Sequence, residues 1–262
     1  MKLSIIIPVY NSANILDKLV QKIEIELKDK IDSFELFLIN DFSQDDSWQI
    51  IKELALKYDF IKGISLENNF GQHNAIMAGL NECIGEYIVL MDDDLQHDPE
   101  YILNIYNELI NNFDVCYVNY LNRKHKNWKR FVSWLNNLIS SILMNKPIRI
   151  YTSSFKGIKR NIVEKMILFK ERDIFLDWLI FHNTKKVTII DVKHRERYEG
   201  STTYGVRKLF ALWSSMIITL PLKTRLITFI PIVILKIIIT IFYYFFSNNK
   251  SSQQYIISEK TY

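Results

Sequence analysis

Over its first hundred residues the chain alternates short apolar runs with longer segments that are apolar on one face only. Residues 4–9, 34–40, 61–66 and 87–91 are the apolar runs and read as strands. Residues 13–26, 45–58 and 74–81 repeat their apolar positions at helical spacing. Strands that are apolar throughout are buried on both faces, as in a parallel sheet with helices above and below. The pattern therefore predicts an α/β domain, doubly wound around a mostly parallel sheet. The ligand crevice of such a sheet lies at the carboxyl ends of its strands. Polar residues gather at those ends: Tyr10 and Asn11, then Asp41, then Asn68 and Asn69, then Asp92, Asp93 and Asp94. Farther on, residues 128–143 read as a partly basic helix, 150–155 as a strand, 162–168 as a helix and 187–192 as a last strand. Residues 193–208 form a basic loop carrying Lys193, Arg195, Arg197, Arg207 and Lys208.

The pattern changes after Tyr204. Residues 209–220 are apolar around Trp213, and Pro221 ends them. Residues 226–246 then run for 21 positions with one charge, Lys236, which is enough to cross a bilayer. Fifteen of them are Ile, Leu, Val or Phe. Each is worth roughly −0.3 to −0.6 kcal/mol on the insertion scale, against about +2.5 to +3.5 for a central lysine. The apolar sum wins, and 226–246 is predicted to span the membrane. Residues 206–225 then form an amphipathic juxtamembrane segment, and 247–262 a polar tail. Lys223 and Arg225 before the span, together with an N-terminus unlike a signal peptide, place the folded part in the cytoplasm, at the inner membrane.

Composition narrows the function. Hydrophobic residues make up 48% of the 262, which excludes disorder as the main state. Glycine occurs only 7 times, and neither a Gly-x-x-x-x-Gly-Lys nor a Gly-x-Gly-x-x-Gly sequence is present. P-loop ATPases and dinucleotide-binding dehydrogenases with the usual fingerprint are thus disfavoured. A net charge of +4 gives no reason to expect a nucleic-acid partner. Cys83 and Cys116 read as buried thiols in a reducing compartment, and the five scattered histidines build no zinc site with them.

The densest chemistry is Met91-Asp-Asp-Asp-Leu-Gln-His-Asp-Pro-Glu100. On extended backbone Asp92 and Asp94 share a face and Asp93 points away. Two carboxylates at a strand end make a hard oxygen site for Mg²⁺ or Mn²⁺, with Gln96 as a further oxygen donor. Asp98-Pro99-Glu100 reads as a helix start instead. Asp41 suits either a nucleotide's base or ribose hydroxyl, or a turn.

At these residues the chain resembles the family 2 glycosyltransferases of the GT-A fold. Ser4-Ile-Ile-Ile-Pro-Val-Tyr-Asn11 is similar to that family's opening strand, and Ile39-Asn-Asp-Phe-Ser-Gln-Asp-Asp-Ser47 to its Asp-Asp-x-Ser motif, with Asn40 in place of the first Asp. Asn69-Phe-Gly-Gln-His-Asn-Ala-Ile-Met-Ala-Gly-Leu80, the acidic segment and Arg197-Tyr-Glu-Gly-Ser-Thr-Thr-Tyr204 resemble the subgroup of dolichol-phosphate mannose synthase and the undecaprenyl-phosphate aminoarabinose transferases. The resemblance implies a catalytic domain over residues 1–205. Pro8, Tyr10, Asn11 and Asp41, with Asn69, Gly71, Gln72, Asp92 and Asp93, would hold the nucleotide sugar. Asp92, Asp94 and Gln96 would hold the metal. Arg195, Arg197, Thr202 and Tyr204 would face the acceptor. Ser12 stands where many relatives have Glu, and Thr203 where lipid-phosphate transferases often have Lys.

The implied reaction moves a sugar, with inversion, from a nucleotide-diphosphate sugar to a polyprenyl phosphate at the membrane, with Asp94, Arg197 and Asp177 as catalytic residues. The alternative acceptor is a saccharide, lipid-linked in surface-polysaccharide assembly, which needs a base from Glu171, Asp173 or Asp177. A silent membrane scaffold is the third reading, and the Asp92/Asp94 pair speaks against it. His73 and His97 read as polar loop residues near a substrate phosphate. A homo-oligomer stays open.

Overall fold

The first apolar run becomes β1 (Leu3–Val9), every residue of which is buried. The computed structural model describes residues 2–121, 134, 137–138, 140–142, 144–171, 174–193 and 254–262. After β1 come α1 (Ala13–Leu27), β2 (Phe34–Asn40), α2 (Ser47–Lys57), β3 (Ile61–Leu66), α3 (Gln72–Glu82) and β4 (Tyr87–Leu90). A short 3₁₀ turn (Pro99–Tyr101) leads into α4 (Ile102–Ile110), then β5 (Val115–Leu121), β6 (Lys156–Lys159), α5 (Arg160–Met166), α6 (Leu176–Asn183), β7 (Val187–Lys193) and β8 (Ile257–Lys260). The eight strands form one sheet in the order β7-β5-β6-β4-β1-β2-β3-β8.

The strands are mostly apolar on both faces because each side of the sheet has its own core, and among their polar exceptions Ser4 and Lys62 both donate to Glu35. Ile6, Phe37, Ile39 and Ile64 pack on one face with residues of α3, α5 and α6. Their chain neighbours Ile5, Ile7, Leu36 and Leu38 pack on the other, against α1, α2 and α4. On α1, Leu16, Leu19, Val20, Ile23 and Leu27 form the buried stripe that its spacing predicts.

The sheet is mixed. Strands β1, β2, β3 and β4 pair in parallel, as do β5 and β7. Strand β6 is antiparallel to both β4 and β5, and β8 is antiparallel to β3. The strand expected at 150–155 lies later, at Lys156–Lys159. Residues 150–155 are irregular because they bring Ser154 to the acidic segment, where its hydroxyl donates to Asp92 Oδ2 at 2.6 Å. The end of the expected polar tail is not a loose terminus: β8 closes the edge of the sheet, Trp48 Nε1 donates to Glu259 at 2.8 Å, and the Gly63 N–H donates to Thr261 Oγ1 at 2.8 Å. The juxtamembrane and membrane-spanning expectations at 206–225 and 226–246 lie outside the described residues. Among the described residues no helix is long and apolar enough to cross a membrane.

Candidate active site

The four parallel strands β1 to β4 end together, and the polar residues predicted at their ends meet there. Val9 is the last residue of β1 and pairs with Asn40 of β2. Beyond it the chain turns: Asn11 has φ 53°, its N–H donates to Ser43 Oγ at 3.0 Å, and its Oδ1 accepts from Gln44 N at 2.8 Å. The loops after β1 and β2 are thereby locked together. Pro8 is buried within β1 itself, one residue before the turn, while Tyr10 is 50% exposed.

Asp41 ties the third loop to these two. Its carboxylate accepts from Phe70 N at 2.8 Å and Gly71 N at 2.9 Å, and its carbonyl accepts from Asn69 Nδ2 at 3.2 Å. Gly71 makes this approach with φ 86°, a conformation glycine adopts at no steric cost. Burial raises the Asp41 pKa against the two N–H donors that hold its charge.

The acidic segment lies just past β4, in a bend rather than on the strand. Asp93 does turn away from its neighbours. Its Oδ2 accepts from Ser12 Oγ at 2.5 Å and from Tyr10 N at 3.2 Å, which clamps the β1–α1 turn to the acidic bend. Burial, with a smaller push from Asp92 and Asp94, lifts the Asp93 pKa to about 6 despite these donors. Asp92 faces the other way and accepts from Gln72 Nε2 at 2.5 Å as well as from Ser154. Its N–H donates to His97 Nδ1 at 2.9 Å, which leaves the ring proton on Nε2, 3.6 Å from Asp92 Oδ2. His97 is buried and stacks on Phe155 with centroids 4.9 Å apart. Asp94 Oδ1 accepts from Gln96 N at 3.1 Å. Asp98 caps the 3₁₀ turn, as its sequence context predicts.

Asp92, Asp94 and Gln96 thus share one bend at the mouth of the crevice. Two carboxylates and an amide fit a hard divalent ion that completes its shell with water and substrate phosphate. Among the described residues no group of three His, Cys, Asp or Glu side chains converges as a self-sufficient metal site.

Asp177 lies on another element, in the first turn of α6. It is buried, and its Oδ1 accepts from Tyr117 Oη at 2.7 Å and from Lys156 Nζ. Glu171 is exposed. Asp173, Arg195, Arg197, Thr202 and Tyr204 lie outside the described residues. Sequence reasoning gave Ser154 and Lys156 no role. A serine in an irregular stretch and a lysine opening a four-residue strand carry no distinguishing pattern, whereas Ser12 was visible only as a departure from relatives.

With this geometry in view, residues 4–167 match the description "Glycosyl transferase family 2". The chain belongs to that family. It is 32% identical over 216 residues to an undecaprenyl-phosphate 4-deoxy-4-formamido-L-arabinose transferase of Pseudomonas syringae, covering 82% of this chain and 64% of that protein. It is 32% identical over 217 residues to the protein of the same name from Yersinia pestis, covering 82% and 66% of the two chains. The chain thus spans about two thirds of the length of these curated relatives. Among solved structures it is similar to glucosyl-3-phosphoglycerate synthase from Mycobacterium tuberculosis in complex with Mn²⁺ and uridine-diphosphate-glucose. The TM-score is 0.59 at 14% identity, covering 82% of this chain and 79% of that one, which establishes the GT-A-like fold of this family member.

Proposed function

We propose that this family 2 member is a membrane-associated glycosyltransferase that moves a sugar from a nucleotide-diphosphate sugar to a polyprenyl phosphate, with inversion. The observation that carries the reading is the Asp92–Gln96 bend, tied at the carboxyl ends of the parallel strands to the loops after β1 and β3, with Asp41 tying in the loop after β2. The names of the curated relatives supply the acceptor class. Asp92 and Asp94, with Gln96, would hold Mg²⁺ or Mn²⁺. When bound, the ion supplies Lewis-acid neutralisation of the departing diphosphate. Pro8, Tyr10, Asn11, Asn69, Gly71 and Gln72 line the nucleotide side, and Asp41 and Asp93 keep its loops in place. Arg195, Arg197, Thr202 and Tyr204 are proposed for the acceptor. The domain is proposed to work at the cytoplasmic face of the inner membrane, held there by residues 206–246.

Of the three acids that could serve a saccharide acceptor, Asp177 is already engaged within the folded domain. A sugar hydroxyl needs a base within hydrogen-bond reach, but the Asp177 carboxylate is buried and engaged by Lys156 and Tyr117. A phosphate monoester, with its second pKa near 6, is largely dianionic at neutral pH and needs none. The test uses membranes containing the full chain and radiolabelled nucleotide sugars. A chloroform-soluble, acid-labile product that disappears with EDTA and in Asp94→Asn is expected. A water-soluble glycoside would instead assign a saccharide acceptor, and undiminished turnover of Asp94→Asn under chelation would remove the metal from the reading.

A further inference from the structure

Among the described residues, five other than glycine have positive φ: Asn11, Phe42, Leu95, Asn112 and Asn145. Asparagine tolerates the left-handed region, and bulky side chains do not. Leu95 and Phe42 are the bulky ones, at φ 60° and 61°. Leu95 is compensated by burial, being 7% exposed within the core of the α1/α2/α4 face. Phe42 is 44% exposed and belongs to neither core. Folding alone therefore rewards neither its backbone conformation nor its side chain.

The conformation is imposed by what flanks it. Asp41 N donates to Val9 O at 2.9 Å, and the Asp41 carboxylate is held by Phe70 and Gly71. Ser43 N donates to Asn40 Oδ1 at 3.1 Å, and the Phe42 carbonyl accepts from Gln44 Nε2 at 3.1 Å. Phe42 thus sits on a rigid turn two residues past the end of β2. Tyr10, the other exposed aromatic of this region, lies one residue past the end of neighbouring β1, with its N–H on Asp93. An observed backbone outlier at such a place points to function.

We propose that Phe42 is a nucleobase-stacking residue, which with Tyr10 grips the flat ring of the donor nucleotide and sets how tightly the nucleoside part is held. The inference rests on the glycosyltransferase reading of the crevice and adds a residue to it. A nucleobase supplies a flat apolar face, which neither ring finds among the described residues, and base–aromatic stacking tolerates any base.

The experiment measures Mn²⁺-dependent binding of UDP, GDP, CDP and ADP, and of inorganic pyrophosphate, to the full chain by calorimetry, with thermal unfolding alongside. Phe42→Gly removes the ring and suits the positive φ, so its melting temperature should equal or exceed that of the parent. Its Kd for the diphosphate the parent binds tightest should rise about tenfold or more, and tenfold is about 1.4 kcal/mol. Pyrophosphate affinity should stay put, and Phe42→Tyr should restore nucleotide affinity. Unchanged nucleotide affinity in Phe42→Gly overturns the stacking role and leaves the transferase reading intact. Equal losses for pyrophosphate and nucleotide overturn it too, because they assign the effect to the loop. A parent that holds no nucleoside diphosphate more tightly than pyrophosphate overturns the nucleotide reading of the crevice itself, and this inference with it.

Discussion

Exchanging Asp177 for Asn separates a buried strut from a catalytic base. The Asp177 and Lys156 side chains are 11% and 5% exposed, so solvent screens their attraction very little. Removing the carboxylate charge leaves the Lys156 ammonium buried over the Tyr117 ring, 5.1 Å from its centroid, with no counterion. Breaking such a pair from one side costs about 3–5 kcal/mol. For a chain of this size that lowers the melting temperature by roughly 6–20 °C, at about 2–4 °C per kcal/mol. Lys156→Met should also destabilise, because it strands the carboxylate. The double variant Lys156→Met/Asp177→Asn should recover a large part of the loss, with a coupling of about 2–3 kcal/mol for residues in direct contact. Thermal unfolding of the four proteins gives the cycle, and turnover at 20 °C gives activity per folded molecule. The reasoning predicts large melting shifts and activity within about tenfold of the parent. An Asp177→Asn protein that melts with the parent yet turns over more than a hundredfold slower would refute it. Asp177 would then be a base, and a hydroxyl acceptor would return.

Two further outcomes are expected. Glu35 is buried, which raises its pKa, but Lys62, Ser4 and the Ile84 N–H together outweigh burial and hold it below the ordinary 4.5. A depressed carboxyl stabilises above its unfolded pKa and loses that contribution as pH falls through the folded value. Urea unfolding should therefore show stability dropping below about pH 4.5, and Glu35→Gln, about 2–3 kcal/mol weaker at pH 7, should show a shallower drop; parallel acid curves would count against this. Since β8 pairs with β3 of the domain, cysteines placed at Lys2 and after Tyr262 should be labelled from the same side of inside-out membrane vesicles by an impermeant maleimide. Labelling from opposite sides would mean that β8 does not belong to this sheet in the membrane-bound protein.

Much of the sheet was legible because β1, β2 and β3 are rich in apolar residues on both faces, as strands covered from both sides are. The strand-end acids and asparagines were legible for the same topological reason. The rest was hidden where tertiary partners override local pattern. Strand β6 reads Lys-Gly-Ile-Lys, which no periodicity marks as buried. Lys156 is buried because Asp177 waits opposite, and Gly157 because Ile105 of α4 lies 2.2 Å from where its Cβ would be. Strand β8 is mostly exposed and is held by backbone pairing at an edge, which leaves almost no mark in side-chain pattern. In the site, the acids were readable, but Asp92 and Asp93 find their partners Ser12, Gln72 and Ser154 on three other segments, which only the fold brings together, while His97 comes from the acidic bend itself.

The mixed directions of the outer strands have a consequence for the acceptor. Strands β5 and β7 run parallel to β4 and end, at Leu121 and Lys193, on the crevice end of the sheet. Strands β6 and β8 run the other way and begin there, Lys156 opposite Leu90 and Ile257 opposite Leu66. The described chain therefore stops after β7 and resumes before β8 on the crevice end, at opposite edges of the sheet. Seven strand spacings separate those edges, roughly 34 Å at about 4.8 Å each. A single crossing by 226–246 would strand β8 across the bilayer from β3, so any crossings between Lys193 and Gln254 must come in an even number or not at all. A lipid phosphate, the acceptor proposed above, would have to be met at a membrane surface, and that surface must then lie at the end of the sheet where Asp92 and Asp94 stand.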